Sequence, residues 1–199
     1  MKQRFFLARH GQTQWNVIKK LQGRLDSPVT AQGLEQAKQL ADKLVNHNIN
    51  QIISSPIGRA KTTAQVCQQR LDIPLSYNDG LIERDFGDWQ GELFEQLTEQ
   101  PHFESIFYQV TEHAPPNGES GIACANRFKQ TLITIARQLE RESVPQSVLI
   151  ITHGDLLRCL CEQLGQQSFV DAYSQYGNGA LFVVDFDSQT QVFTATPFG

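Results

Sequence analysis

Four branched apolar residues in a row, Val148-Leu149-Ile150-Ile151, limit this chain more than any other feature. A strand with one wet face alternates apolar and polar side chains, whereas an unbroken run belongs to a strand covered on both faces. A sheet covered on both faces needs helices on both sides, and the remaining pattern supplies them. Short strand-like runs occur at Phe5 to Ala8, Ile52-Ile53 and Leu75 to Tyr77. A closing pair, Ala180 to Phe186 and Val192 to Thr196, flanks Asp187-Ser188-Gln189. Between them lie helical patterns. Thr30 is a good N-cap for Leu34, Ala37, Leu40, Ala41, Leu44 and Val45 at helical spacing. Ser55 as N-cap with Pro56 in the first turn opens a helix whose inner face is Ile57, Ala60, Ala64, Cys67 and Leu71. Ser120 precedes a long helix carrying Phe128, Leu132, Ile135, Ala136 and Leu139, and a last helix runs from Asp155 to about Leu164. Strands alternating with helices predict an α/β fold with a mostly parallel central sheet.

The 199 residues contain no repeat, low-complexity tract or Pro/Gly-rich linker, so residues 1–199 read as a single domain. A charged fraction of 19% and an apolar fraction of 40% are ordinary for a globular chain. The formal charge of −4 argues against a general nucleic-acid binder or a polybasic membrane binder. No apolar run approaches the roughly 20 residues of a membrane span. The stretch Phe5 to Ala8, closed by Arg9, is too short for a signal peptide and reads as the first strand. Cys67, Cys124, Cys159 and Cys161 do not form a disulfide framework in a chain this size. They read as buried thiols in a reducing cytoplasm, with Cys159-x-Cys161 misspaced for a zinc knuckle.

Ligands of open α/β sheets bind beyond the carboxyl ends of the strands. Two strands here end alike, in Arg9-His10-Gly11 and in Thr152-His153-Gly154. A third stops just before Ser54-Ser55-Pro56-Ile57-Gly58-Arg59, which puts Arg59 in the first turn of a helix. Two imidazoles, two guanidiniums and the positive end of a helix at one rim suit a tetrahedral dianion.

The residues around these positions resemble the histidine phosphatase superfamily, the branch named for cofactor-dependent phosphoglycerate mutase. The opening Leu7-Ala8-Arg9-His10-Gly11-Gln12-Thr13-Gln14-Trp15-Asn16 is similar to that family's signature. Gln22 to Thr30, Ser54 to Ala64, Leu81 to Gly91 and Thr152-His153-Gly154 resemble its later segments, in order, with Asn117-Gly118-Glu119-Ser120 also similar. The resemblance implies a three-layer α/β/α fold and a set of roles. His10 would be the nucleophile that forms a phosphohistidine. Its attacking nitrogen must be unprotonated, so its other nitrogen should donate to a fixed acceptor such as a backbone carbonyl. Arg9, Arg59, Asn16 and His153 would hold phosphoryl oxygens, with Gln22, Gly11 and Gly154 beside them. Glu83 would protonate the leaving oxygen and then take a proton from water. The choice of Glu83 over Asp79, Asp85, Asp88 and Glu92 follows the family's Glu-Arg-x-aromatic-Gly pattern, not a spacing rule. Arg84 reads as a structural ion-pair residue, and Trp15 and Trp89 as packing. No metal and no cofactor are implied, because the arginines and His153 bring the positive charge.

Hydrolysis and mutase transfer use the same pocket. The resemblance places a substrate-facing, lid-like insertion at about 92–118. That segment contains no Lys or Arg, five glutamates (Glu92, Glu95, Glu99, Glu104, Glu112) and an apolar set including Leu93, Phe94, Leu97, Phe103, Ile106, Phe107 and Tyr108. An acidic and apolar cover disfavours substrates with a second anionic group. The expectation is therefore a phosphomonoester hydrolase acting on a small-molecule phosphate ester, with bisphosphorylated compounds ranked low. The length and Phe86-Gly87-Asp88-Trp89 also resemble α-ribazole phosphatases and broad-specificity acid phosphatases. The alternatives are phosphoglycerate mutase-type transfer and a non-catalytic phosphoester-binding domain. A nucleotide-binding α/β protein is disfavoured by the lack of a GxGxxG or P-loop. The closing strands could pair with a second copy as a homodimer. Neither a nucleic acid nor a membrane is an expected partner.

Overall fold

The computed structural model describes residues 2–141, 147–165 and 176–196. Its strands are β1 (Lys2–Arg9), β2 (Ile49–Ser54), β3 (Leu75–Tyr77), β4 (Ser147–Thr152), β5 (Leu181–Asp187) and β6 (Val192–Thr196). The helices are α1 (Gln14–Val17), α2 (Ala31–Leu44), α3 (Gly58–Leu71), α4 (Phe94–Leu97), α5 (Phe103–Phe107), α6 (Gly121–Arg141) and α7 (Gly154–Gln163). The strands form one sheet in the order β3-β2-β4-β1-β5-β6. The first four in that order are parallel, β5 runs antiparallel to β1, and β6 runs antiparallel to β5. β4 lies inside the sheet, which is why its four apolar residues have no accessible surface.

The sheet divides the core by the two-residue period of its strands. Phe5 and Leu7 of β1 join Val148 and Ile150 against α6 and α7, with Phe128, Leu132, Ile135 and Leu139 buried there. Phe6 and Ala8 join Leu149 and Ile151 against α2 and α3, where Leu40, Ala41, Leu44, Ala60, Ala64 and Cys67 are buried. The fold is therefore three-layered α/β/α, as the resemblance implied. The four cysteines are buried free thiols, and burial pushes Cys67 and Cys161 up to about 12.

Two helix assignments change. Ser55 does not cap α3, which starts at Gly58 with Ile57 in the cap position and no side-chain cap bond. The Ser55 hydroxyl accepts from Ile57 N–H at 3.3 Å, just before the helix begins, and also meets His153, as described below. Ile57 and Leu71 are only half-buried. On α2, Thr30 caps as expected through Gly33 N–H at 3.0 Å, but Leu34 and Val45 are exposed and Gly33 is buried in their place. The reason is a close backbone approach: a Cβ at Gly11 would fall on the backbone of Gly33.

Residues 92–118 carry α4 and α5 over the carboxyl edge of the sheet. These helices are held by Phe86, Trp89, Leu97, Phe103, Ile106 and Phe107, a cluster separate from the two sheet-flanking cores. Trp89 stacks on Phe107 with ring centres 5.8 Å apart, which confirms a packing role. The buried Arg84 binds this cover to the body. It donates to the carbonyls of Ile106 (2.8 Å), His113 (3.4 Å) and Glu119 (2.9 Å), and to Asp155 at 3.1 Å.

Candidate active site

Register fixes where the histidines lie. Ala8 and Ser54 both pair with Ile151, so β1, β2 and β4 end at one level. His10 N–H donates to the Thr152 carbonyl, and Ser55 N–H donates to the Ile151 carbonyl. His10, Ser55 and His153 thus follow three adjacent strand ends, and the two imidazole rings meet edge to face at 5.3 Å.

The tautomer of His10 follows from its partners. Nδ1 lies 2.8 Å from the Gly11 carbonyl, and Arg59 Nε donates to Nε2 at 3.1 Å. A carbonyl only accepts and a guanidinium only donates, so Nδ1 carries the proton and Nε2 presents its lone pair. Burial, then the charges of Arg59 and Arg9, hold the imidazole well below its ordinary range. The neutral form, which is the nucleophilic one, is therefore the resting form. His153 is depressed in the same way, by burial first and then by Arg59. Its Nε2 meets the Ser55 hydroxyl at 2.8 Å, and its Nδ1 has no hydrogen-bond partner among the described residues.

Arg59 is the second residue of α3 and is almost wholly buried. Its guanidinium is fixed by the carbonyls of Gly23 (2.7 Å) and Leu25 (2.6 Å) and by Asp26 (3.3 Å). Arg9 donates to the Tyr176 carbonyl at 2.6 Å. Gly154 makes room for it, since a Cβ there would stand 2.9 Å from the centre of the Arg9 guanidinium. Asn16 accepts from Thr13 N–H (3.0 Å) and from Asn178 (3.1 Å), and Gln22 accepts from the Thr13 hydroxyl (3.1 Å).

Glu83 is buried at the start of α7. Its carboxylate accepts from the N–H groups of Arg84 (2.9 Å), Leu156 (2.9 Å) and Asp155 (3.3 Å). Burial and then the Asp155 charge raise Glu83, outweighing Arg59 and the amide bonds that favour its anion. Asp155 goes the other way. Burial would raise it, but Arg158 (2.7 Å) and Arg84 (3.1 Å) hold it below the usual range. Two adjacent buried carboxyls are thus pushed apart, one towards the acid and one towards the anion.

A cavity of about 430 Å³ opens here, within the size range of small-molecule sites. Arg9, His10, Asn16, Gln22, Arg59, Glu83 and Gly154 line it, while Gly11 and His153 are not among its lining residues. Asp79, Asp85, Asp88 and Glu92 are not among its lining residues. The expected acidic mouth is not found either: none of the five lid glutamates lines the cavity, whereas Lys19 and Lys20 do. The lid contributes Phe94, Phe107 and Tyr108. Sequence reading missed Lys19, Lys20, Ser55, Asn178 and Asp155. Asp155 had a signal, an acid directly after the second His-Gly with Arg158 one helical turn on. Asn178 had none, since it arrives from the loop before β5. Among the described residues, no group of three or more His, Cys, Asp or Glu side chains is placed to hold a metal ion.

The chain matches the sequence profile of the histidine phosphatase superfamily (branch 1) over residues 5–196. It is 32% identical over 186 residues to a protein of Proteus mirabilis named probable phosphoglycerate mutase GpmB, covering 92% of this chain and 85% of that one. Among solved structures it superposes on mycobacterial glucosyl-3-phosphoglycerate phosphatase with a TM-score of 0.83, at 23% identity and 99% coverage of each chain. It also superposes on a phosphoserine phosphatase from Entamoeba histolytica with a TM-score of 0.80, at 25% identity, covering 98% of this chain and 96% of that one.

Proposed function

The chain belongs to the histidine phosphatase superfamily (branch 1), and from that premise we propose that it is a phosphomonoester hydrolase working through a phosphohistidine on His10. One observation carries the reading: the buried, neutral His10 has its proton tied to the Gly11 carbonyl and its Nε2 lone pair at the cavity wall, among Arg9 and Arg59.

In the first step Nε2 attacks phosphorus and the bond from phosphorus to the ester oxygen breaks. Glu83 gives its proton to the leaving oxygen. Arg59 Nε, which donates to Nε2 at rest, turns its donor to the phosphoryl group, and Arg9, Asn16 and His153 Nδ1 add donors. The His153 proton then sits on Nδ1, with Nε2 accepting from the Ser55 hydroxyl. In the second step the Glu83 carboxylate takes a proton from water as its oxygen attacks phosphorus. The phosphorus–nitrogen bond breaks, inorganic phosphate leaves, and both groups return to their starting forms. Asp155 supports the first step by disfavouring a second negative charge on Glu83. The arginines neutralise the developing charge, so the mechanism requires no metal.

The name of the Proteus mirabilis relative favours a second reading, transfer between the positions of phosphoglycerate. Hydrolysis is favoured by the phosphoserine phosphatase of Entamoeba histolytica, a hydrolase by name, on which the chain superposes at 25% identity. The test is phosphate release from p-nitrophenyl phosphate in excess EDTA, with wild type and His10→Ala, beside an assay for interconversion of 2- and 3-phosphoglycerate. Turnover that persists in EDTA and vanishes in His10→Ala is expected. Interconversion faster than phosphate release supports the transferase, and loss of turnover in EDTA overturns the mechanism.

A further inference from the structure

We infer that Lys19 and Lys20 form a second anion site in the cavity, so that the favoured substrates are phosphomonoesters whose leaving alcohol carries a carboxylate or a second phosphate. This rests on the hydrolase reading and names the substrate class of that same cavity. Both lysines line the wall together with Arg9 and Arg59. Neither has a carboxylate within ion-pair distance among the described residues, unlike Arg24, Arg84, Arg127 and Arg158, which are paired. The Lys20 ammonium sits 4.6 Å from the centre of the Trp15 ring, which orients the charge without neutralising it.

The lysines are also held in place. Leu21 N–H donates to the Glu92 carbonyl, Gly91 N–H to the Leu21 carbonyl, and Phe94 N–H to the Lys19 carbonyl. This short pairing locks the lysine loop to the start of the lid. Lys19 has φ of +53°, a left-handed backbone unusual for a residue with a side chain, which persists where the surroundings impose it. The same clamp sets the lysines beside Phe94, with Phe107 and Tyr108 further along the wall. An apolar wall lowers the local dielectric and strengthens each ammonium–anion contact. The two acids in the wall do not cancel the lysines. Asp155 is already paired with two arginines, and Glu83 is held towards its neutral form.

The test compares phosphate release from 3-phosphoglycerate, glycerol 3-phosphate and glycerol 1,3-bisphosphate by the whole protein. The first two differ by a carboxylate against a hydroxymethyl group, and the third supplies a phosphate instead. The expected result is a kcat/KM at least about tenfold above glycerol 3-phosphate for one anionic ester, and whichever it is identifies the second anion. That ratio falls towards one in Lys19→Gln/Lys20→Gln and inverts in Lys19→Glu/Lys20→Glu, a readout that partial loss of folded protein does not move. A wild-type ratio near one, or a ratio the lysine variants leave unmoved, overturns the inference. The hydrolase reading fails separately, through p-nitrophenyl phosphate turnover independent of His10. In that case the anion site is read from calorimetric binding of the same three compounds to His10→Ala protein, with the same preference expected and an equal affinity overturning it.

Discussion

The rim of strand ends and the lid wall face one cavity, but opposite means hold them. At the rim, His10, Arg59 and His153 are at most 1% exposed; the sheet register places the two histidines, and the carbonyls of Gly23 and Leu25 hold Arg59. At the lid, α4 and α5 have four and five residues, far below the length at which a helix is stable alone. Aromatic stacking on Phe107 and the carbonyl clasp of Arg84 hold them instead. On the proposed mechanism, the chemistry sits at the strand ends, and the alcohol part of the ester meets the lid and the lysine loop.

Substitutions on the two sides should separate. At the rim, Arg59→Ala removes a buried donor to both the nucleophile and the phosphoryl group, and kcat should fall by about 10²–10³. The inhibition constant of inorganic phosphate should rise with it. Glu83→Gln should lower kcat by about 10²–10⁴ for alkyl esters, and by much less for p-nitrophenyl phosphate, whose leaving group needs little protonation. Equal losses for both ester types would remove Glu83 as the acid. At the lid, Phe107→Ala should cost about 3–5 kcal/mol of stability in chemical denaturation. In the folded fraction it should raise KM for esters by more than it raises the inhibition constant of phosphate. A lid substitution that weakens phosphate and esters alike would break the comparison.

A pH series sharpens the same contrast. On the proposed mechanism, turnover needs His10 neutral and Glu83 protonated. In the free protein the lowered His10 places the acid limb of kcat/KM below the ordinary imidazole range, and the raised Glu83 keeps the acid form present above the ordinary carboxyl range. Asp155→Asn removes a charge that raises Glu83, so the alkaline limb should move to lower pH while the acid limb holds. Asp155→Glu, which keeps the charge, should restore it. An alkaline limb that Asp155→Asn leaves in place would assign Asp155 to structure alone. The smallest effect is expected far from both regions. Arg70→Ala breaks an exposed pair with Asp42 at 2.6 Å and should shift stability by less than about 1 kcal/mol.

The rim was legible in the sequence because a strand end is a local event. Val148 to Ile151 announces a covered strand, and Thr152-His153-Gly154 must follow its end. The same logic placed His10 and Arg59, and the family's segments added Glu83, a choice no spacing rule makes. The lid was legible in composition but not in direction. Five glutamates in a segment without Lys or Arg predicted an acidic mouth, yet period and charge do not say which side of a four-residue helix faces a cavity. The cations came from Lys19 and Lys20, which a three-bond backbone pairing with Gly91, Glu92 and Phe94 brings to the wall. Asn178, more than 160 residues from the partners it donates to, His10 and Asn16, is a long-range meeting that no local pattern encodes. The Ser55 hydroxyl keeps a local bond from Ile57 N–H, but it also meets His153, a buried partner that local sequence does not contain.

The most direct test of the account is to trap the intermediate. Wild-type protein mixed with excess p-nitrophenyl phosphate and quenched in alkali, where phosphohistidine survives, is digested and mapped by mass spectrometry. The account predicts one phosphoryl group on the peptide containing His10, lost in His10→Ala and enriched when Glu83→Gln slows the attack of water. Steady turnover with no phosphoryl group on His10, or with the group on another residue, would contradict it.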